Sequence, residues 1–130
     1  MARIGRHEAR KRALDILYQA DLNERPIAQV LSTHQAGEDP PGEFTVELVE
    51  GVAATIDELD RQIEQHARDW TLARMPVVDR NLLRIGLYEI LHRDDVPTAV
   101  AIDEAVELAK ELSTDDSGRF INGLLAHAAP

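Results

Sequence analysis

Apolar residues recur at helical spacing along almost all of this chain, and that periodicity restricts the fold to packed helices. The clearest stretch is Phe44, Leu48, Val52, Ile56, Leu59 and Ile63, which follow the i, i+4, i+7 rule over more than five turns. It predicts a helix from Glu43 to about Arg68. Before it, a helix is expected from about Arg6 to Asp21, with Ala13, Leu14, Leu17, Tyr18 and Ala20 inward, and a short one from Ile27 to about Gln35. Pro26 suits the first turn of that second helix. Gly37-Glu38-Asp39-Pro40-Pro41-Gly42 can be neither helix nor strand.

A brief helical turn is expected over Trp70–Arg74. From Val77 to His92 the apolar residues Leu82, Leu83, Ile85, Leu87, Ile90 and Leu91 point in nearly every direction, so this helix should be central. Gly86 in its interior costs about 1 kcal/mol relative to alanine, which predicts close approach of a neighbouring helix. Thr98–Leu112 forms another amphipathic stripe. A polar loop, Ser113–Gly118, should cap a last helix from about Arg119 to Ala128. Asn122-Gly123 resembles a hairpin turn, but its flanks lack alternation and read as helix. The expected fold is therefore all-α: a compact bundle of about seven helices in two packed subdomains, residues 1–130 forming one domain.

Of the 130 residues only one is Trp, two Tyr and two Phe, so Leu, Ile, Val and Ala must build the core. At that length folding buries roughly two-thirds of the unfolded surface, enough for one real core. With no cysteine, a disulfide framework and a thiolate metal site are excluded. The five histidines show no metal-ligand spacing, and no Gly-rich phosphate loop, nucleophile elbow or paired-His motif occurs. No cofactor and no enzymatic activity are expected. No apolar run is long enough to cross a bilayer, and the start lacks a signal-peptide pattern, so the expected location is cytoplasmic, with no membrane partner.

Charge is unevenly placed. The net charge is −10, yet residues 1–12 carry Arg3, Arg6, Arg10, Lys11 and Arg12 against Glu8 alone. Taken alone, the acidic total argues against nucleic acid; a basic leading segment on an acidic body argues for one. Arginines at a helix N-terminus oppose the macrodipole, so an anion is the expected return, and RNA phosphate is the simplest one. A solvated, frayed terminus is the plainer explanation. The second feature is Asp116-Ser117-Gly118-Arg119-Phe120-Ile121-Asn122-Gly123. It could be a plain capped helix start with Phe120 in the core, or a site for phosphate, a stacked base on Phe120 and a base edge on Asn122. Third, Asp79, Arg80, Arg84 and Glu89 stand on the central helix, and intrahelical pairing, such as Glu89 with Arg93, accounts for some of them. Arg84 among leucines and isoleucines needs either an internal acid or a protein partner.

At these residues a resemblance becomes strong. Val78-Asp79-Arg80-Asn81-Leu82-Leu83-Arg84-Ile85-Gly86-Leu87-Tyr88-Glu89, then Val96-Pro97, then Ala101-Ile102-Asp103-Glu104-Ala105 through Lys110, and Asp116-Ser117 with Phe120-Ile121-Asn122-Gly123-Leu124-Leu125, resemble the NusB family of transcription antitermination factors. The arginine-rich opening and Leu17-Tyr18 are similar too, so the likeness covers essentially the whole chain in order, but residues 25–60 match in pattern more than in letters and no functional residue is carried over there. It implies an all-helical, non-enzymatic protein that binds the single-stranded boxA element of ribosomal RNA leaders together with the ribosomal protein NusE. Other Nus factors and RNA polymerase would be reached indirectly. It further implies RNA contacts from Arg3, Arg6, Arg10, Lys11, Asp116, Ser117, Arg119, Phe120 and Asn122, and NusE contacts from Tyr18, Asp79 and Arg84. The family often has Asn where this chain has Asp103. Gly118 replaces a larger or polar residue and should loosen its loop. Four to five phosphate contacts would give a logarithmic salt slope of about −3 for a single strand. The rival readings are a helical adaptor or homodimer without RNA, and the accessory domain of an RNA methyltransferase system.

Overall fold

The structure, a computed structural model, describes the backbone of residues 2–68 and 70–130 and the side chains of residues 5–68 and 70–130. Six α-helices form: α1 (Ala2–Leu22), α2 (Ile27–Gln35), α3 (Glu43–His66), α4 (Val77–His92), α5 (Thr98–Leu112) and α6 (Asp115–Ala128). The seventh expected helix is only a single 3-10 turn, Leu72–Arg74. No strand occurs among the described residues, and Asn122-Gly123 lies inside α6.

Prolines set three of the starts. Pro26, Pro76 and Pro97 occupy the N-cap positions of α2, α4 and α5, with φ of −57°, −53° and −60°. A ring-fixed φ and a missing N–H suit the place where a helix begins. The end of α1 is a Schellman motif: Arg25 N donates to Ala20 O at 2.9 Å and Glu24 N to Asp21 O at 3.3 Å. Glu24, rather than glycine, takes the left-handed conformation there, at φ 53°.

The helices group as α1–α3 and α4–α6, joined where α4 packs on α3 and α1 and where α6 touches α3. As expected, α4 is central: Asp79, Asn81–Leu87 and Glu89 are all buried. Two glycines bring its neighbours close. A Cβ on Gly86 would sit 2.7 Å from Leu125 Cδ1, so the glycine predicted to allow close approach meets α6. A Cβ on Gly51 of α3 would lie 2.1 Å from Tyr88 Cζ on α4. One turn beyond Gly51, α3 bends at Thr55 (φ −119°, ψ 16°), whose hydroxyl donates back to Gly51 O at 2.8 Å. A hydroxyl bonded one turn back is a known cause of bending.

The final helix corrects one expectation. The polar stretch 113–118 is not a loop: α6 begins at Asp115, capped by Thr114, whose side chain accepts from Ser117 N. Asp115 and Asp116 in the first turn complement the helix dipole. Gly118 is buried inside the helix, where a Cβ would meet Lys110 Cγ at an ordinary 3.5 Å, so it loosens nothing.

Candidate nucleic-acid and partner interface

The basic leading segment lies on α1, and all its described cations except Arg12 meet acids from α4 onward. Arg6 Nη2 donates to Asp95 Oδ2 at 2.9 Å, His7 Nδ1 meets Glu104 Oε2 at 2.6 Å, and Lys11 Nζ donates to Glu111 Oε1 at 2.5 Å. Arg12 Nη2 donates to the Asp39 carbonyl at 2.7 Å. Asp95 is held well below the ordinary carboxylate range by Arg93 and then Arg6. Glu111 is lowered by its bond from Lys11, and Lys11 is raised by the same bond. His7 is raised chiefly by Glu104. The side chains of Arg6 and Lys11 remain 35% and 40% exposed. Exposed pairs of this kind are screened by water and add little to stability.

Arg10 is different. Its Nε donates to both Glu89 oxygens at 3.0 Å, Nη2 lies 2.9 Å from Oε1, and the side chains are 4% and 1% exposed. Burial pushes the Glu89 carboxyl up, and Arg10 opposes that shift. Phe44 at the start of α3 gathers three guanidinium groups over its ring, Arg6, Arg93 and Arg10 at 4.3, 5.1 and 5.3 Å from the centroid.

The turn between α5 and α6 is tied to α4. Asp79, fully buried, accepts from Ser113 Oγ at 2.8 Å and from Ser117 Oγ at 2.7 Å. Ser113 and Ser117 hydroxyls lie 3.0 Å apart, and Thr114 Oγ1 is 2.9 Å from Ser117 Oγ. This ring of side chains fixes the first turn of α6 and sends Asp116, Arg119 and Asn122 outward. Asp116 and Arg119 pair with each other on the surface. Phe120, half-buried, meets Trp70 edge-on with centroids 5.2 Å apart.

A second network spans α1, α3 and α4. Arg84 donates to both Asp60 oxygens at 2.8 and 3.0 Å and to Asp21 at 3.1 Å. Arg80 chelates Asp21 at 2.7 and 2.6 Å, and Asn81 bridges Asp21 and Arg84. Burial raises Asp21, but the bonds from Arg80 and Asn81 outweigh it and its pKa falls. Beside α1, Tyr18 lines a groove of about 620 Å³ with Lys11, Arg12, Leu14, Val78 and Leu112.

The NusB family model matches residues 7–130. The transcription antitermination protein NusB of Saccharopolyspora erythraea is 58% identical over 127 residues, spanning 95% of this chain and 86% of that protein. Its counterpart in Salinispora tropica is 55% identical over 128 residues, 95% and 94% of the two chains. The chain belongs to the NusB family. Solved NusB structures share the fold: that of T. maritima superposes with a TM-score of 0.84 at 32% identity, covering 95% and 89% of the two chains. A structure of the antitermination factors NusB and NusE with double-stranded RNA gives 0.80 at 27% identity, covering 98% and 97%.

For this NusB-family chain, the structure sorts the expected contact residues into two classes. Asp116, Arg119 and Asn122 are exposed, and Arg6, Lys11, Tyr18 and Phe120 are half-buried. Arg10, Ser117, Asp79 and Arg84 are buried, and each is engaged internally. These four side chains thus turn inward rather than toward solvent, and exposing any of them would break a desolvated network. Arg84 takes the internal-acid alternative. The Arg3 side chain lies outside the described residues. Arg6 and the α6 turn are also not adjacent. Arg6 pairs beside the start of α5, whereas α6 begins just past its end, about 22 Å along a 15-residue helix. Glu104 and Glu111 of α5 meet α1, while Val106 and Lys110, about 100–160° round the helix, face Gly118 of α6. Between these flanks α5 exposes Asp103 and Glu107. Sequence reasoning missed Glu104 and Phe44 as partners of the arginines, and its pairing of Glu89 with Arg93 is corrected: Glu89 bonds Arg10, while Arg93 meets Asp95 and Glu47. Glu89 carried a signal, since an acid on a helix apolar all round demands a cation.

Proposed function

We propose that this chain is a transcription antitermination factor that binds single-stranded boxA-type RNA jointly with NusE. The observation that carries the reading is the contrast between Arg10, sealed against Glu89, and Arg6 and Lys11, held only in exchangeable surface pairs. An RNA phosphate can displace Asp95 or Glu111 at little cost. Arg119 adds a third cation, and the edge-on Trp70–Phe120 pair suits stacking of an unpaired base, while Asn122, on the other flank of the exposed α6 face, offers its amide to a different base edge. NusE docks through the groove at Tyr18. Asp79 and Arg84 act from within, by holding α4 and the start of α6. With net charge −10, the chain alone repels RNA at long range, so useful affinity needs the partner.

The test is a titration of a boxA oligoribonucleotide with and without NusE at several salt concentrations. Three phosphate contacts, from Arg6, Lys11 and Arg119, predict a logarithmic slope of about −2. Arg6→Gln with Lys11→Gln should lower its magnitude by about 1.4 and leave NusE affinity unchanged. A slope near zero, or no RNA bound with NusE present, refutes the reading.

A further inference from the structure

Of the five clefts described on this acidic molecule, one is lined by basic side chains and no acid. It lies between the end of α3 and the outer face of α6, about 400 Å³, lined by His66, Arg68, Arg119, Phe120, Gly123, Leu124 and His127. Each of the other four includes at least one carboxylate: Glu8, Asp15 and Asp39 beside Tyr18; Asp21 and Glu24 beside Arg84; Asp95 and Glu104 beside Arg6; and Glu50 between α2 and α3. A concave site of one sign on a surface of the other concentrates counter-charge.

Two details give the cleft a shape suited to a ligand. His66 Nδ1 is 2.8 Å from the Gln62 carbonyl, so this nitrogen is tied down and Nε2 is the other edge of the ring. The ring stands edge-on to His127 with centroids 5.2 Å apart. The second detail is Gly123. A glycine inside a helix is destabilising relative to alanine, and at Gly51 and Gly86 close packing explains it. At Gly123 a Cβ would meet nothing within 4 Å. Packing gives no reason for it, whereas an approach of ligand to the helix surface does.

We propose that this cleft holds one further nucleotide of the bound RNA strand. Its phosphate lies among Arg68, Arg119 and His127, and its sugar and base lie over Gly123 and Leu124. The RNA path thus continues from the first turn of α6, past Phe120, toward that helix's C-terminal end; this extends the RNA-binding reading and stands only with it. Continuity with Arg119 and Phe120, which belong to both sites, favours the same RNA strand over an acidic peptide.

The test uses the full chain with NusE and two oligoribonucleotides, a boxA core and the same core lengthened by two nucleotides at either end. One lengthened form should bind about tenfold tighter, the contribution of one further held base, and should shift the His66 and His127 ring resonances in NMR spectra. Gly123→Ala should leave Tm equal or higher yet abolish that tenfold gain. Arg68→Gln should reduce the salt slope of the lengthened form by about 0.7. If lengthening brings no gain, or Gly123→Ala leaves the gain intact, the cleft is not part of the RNA path. If polyglutamate shifts both histidines as strongly as RNA does, the occupant is an acidic protein segment and the proposal falls. If the core itself fails to bind with NusE present, the RNA reading falls and the cleft proposal with it.

Discussion

Replacing Arg10 by methionine keeps most of the side-chain stem but removes the guanidinium around which Glu89 is packed. In the parent protein both Glu89 oxygens accept from Arg10, and the two side chains are 4% and 1% exposed. Without Arg10, burial raises the Glu89 carboxyl unopposed except by Arg93, and the Glu104 charge raises it further. The least costly response is for Glu89 to take up a proton. Keeping a glutamic acid protonated costs about 1.4 kcal/mol for each pH unit above its ordinary value near 4.3. That is about 3.7 kcal/mol at pH 7 and about 1 kcal/mol at pH 5. The first figure lies within the roughly 3–5 kcal/mol seen when one member of a buried pair is removed. For a chain of this size it corresponds to a Tm lower by about 10–15 °C.

The pH dependence has a definite sign. The folded variant keeps a proton that the unfolded chain releases, so its stability falls as pH rises above the ordinary glutamate value. The deficit relative to the parent therefore widens from pH 5 to pH 7. Thermal and urea unfolding at both pH values measure it, and Arg10→Met with Glu89→Leu should recover most of the loss. A variant that keeps the parent's Tm at pH 7 and loses only RNA affinity would place Arg10 among the surface cations. A deficit equal at both pH values would remove Glu89 protonation from the account.

Asp79→Ala should cost about 2–4 kcal/mol, because it strips charge-assisted bonds from the buried Ser113 and Ser117; hydrogen exchange should speed up in the first turn of α6, and RNA affinity should fall along with stability. Glu24→Gly should stabilise by about 0.5–1 kcal/mol in urea unfolding, since a residue with a Cβ now occupies the left-handed position that ends α1. His7 should titrate above the ordinary histidine value by NMR, and Glu104→Gln should bring it down. Because its folded value is raised, the His7–Glu104 pair contributes stability below the ordinary histidine value and loses it as pH climbs through the raised one.

Helical periodicity, prolines at helix starts and one polar loop were enough to read α2, α4 and α5 from letters alone, because these signals act within a few residues of chain. The need for close approach at Gly86 was legible for the same reason: a glycine inside a helix is a local cost that some contact must offset. The start of α6 was not legible. Thr114 serves as its cap because Ser113 and Ser117 are drawn to Asp79, which lies 34 residues before Ser113 and 38 before Ser117.

Which charges are free was decided only by the tertiary structure. Arg6 and Arg10 are the same residue one helical turn apart, and Asp79 and Asp116 are the same acid. Within each pair one member is sealed and the other faces water. Charge type and spacing along a helix are properties of the segment. Desolvation depends on what other segments bring to the same place: Glu89 to Arg10, Asp60 and Asp21 to Arg84, two serines to Asp79. The basic opening and the all-helical bundle thus belong to the sequence, while which charged side chains stay in contact with water was decided by how the helices pack.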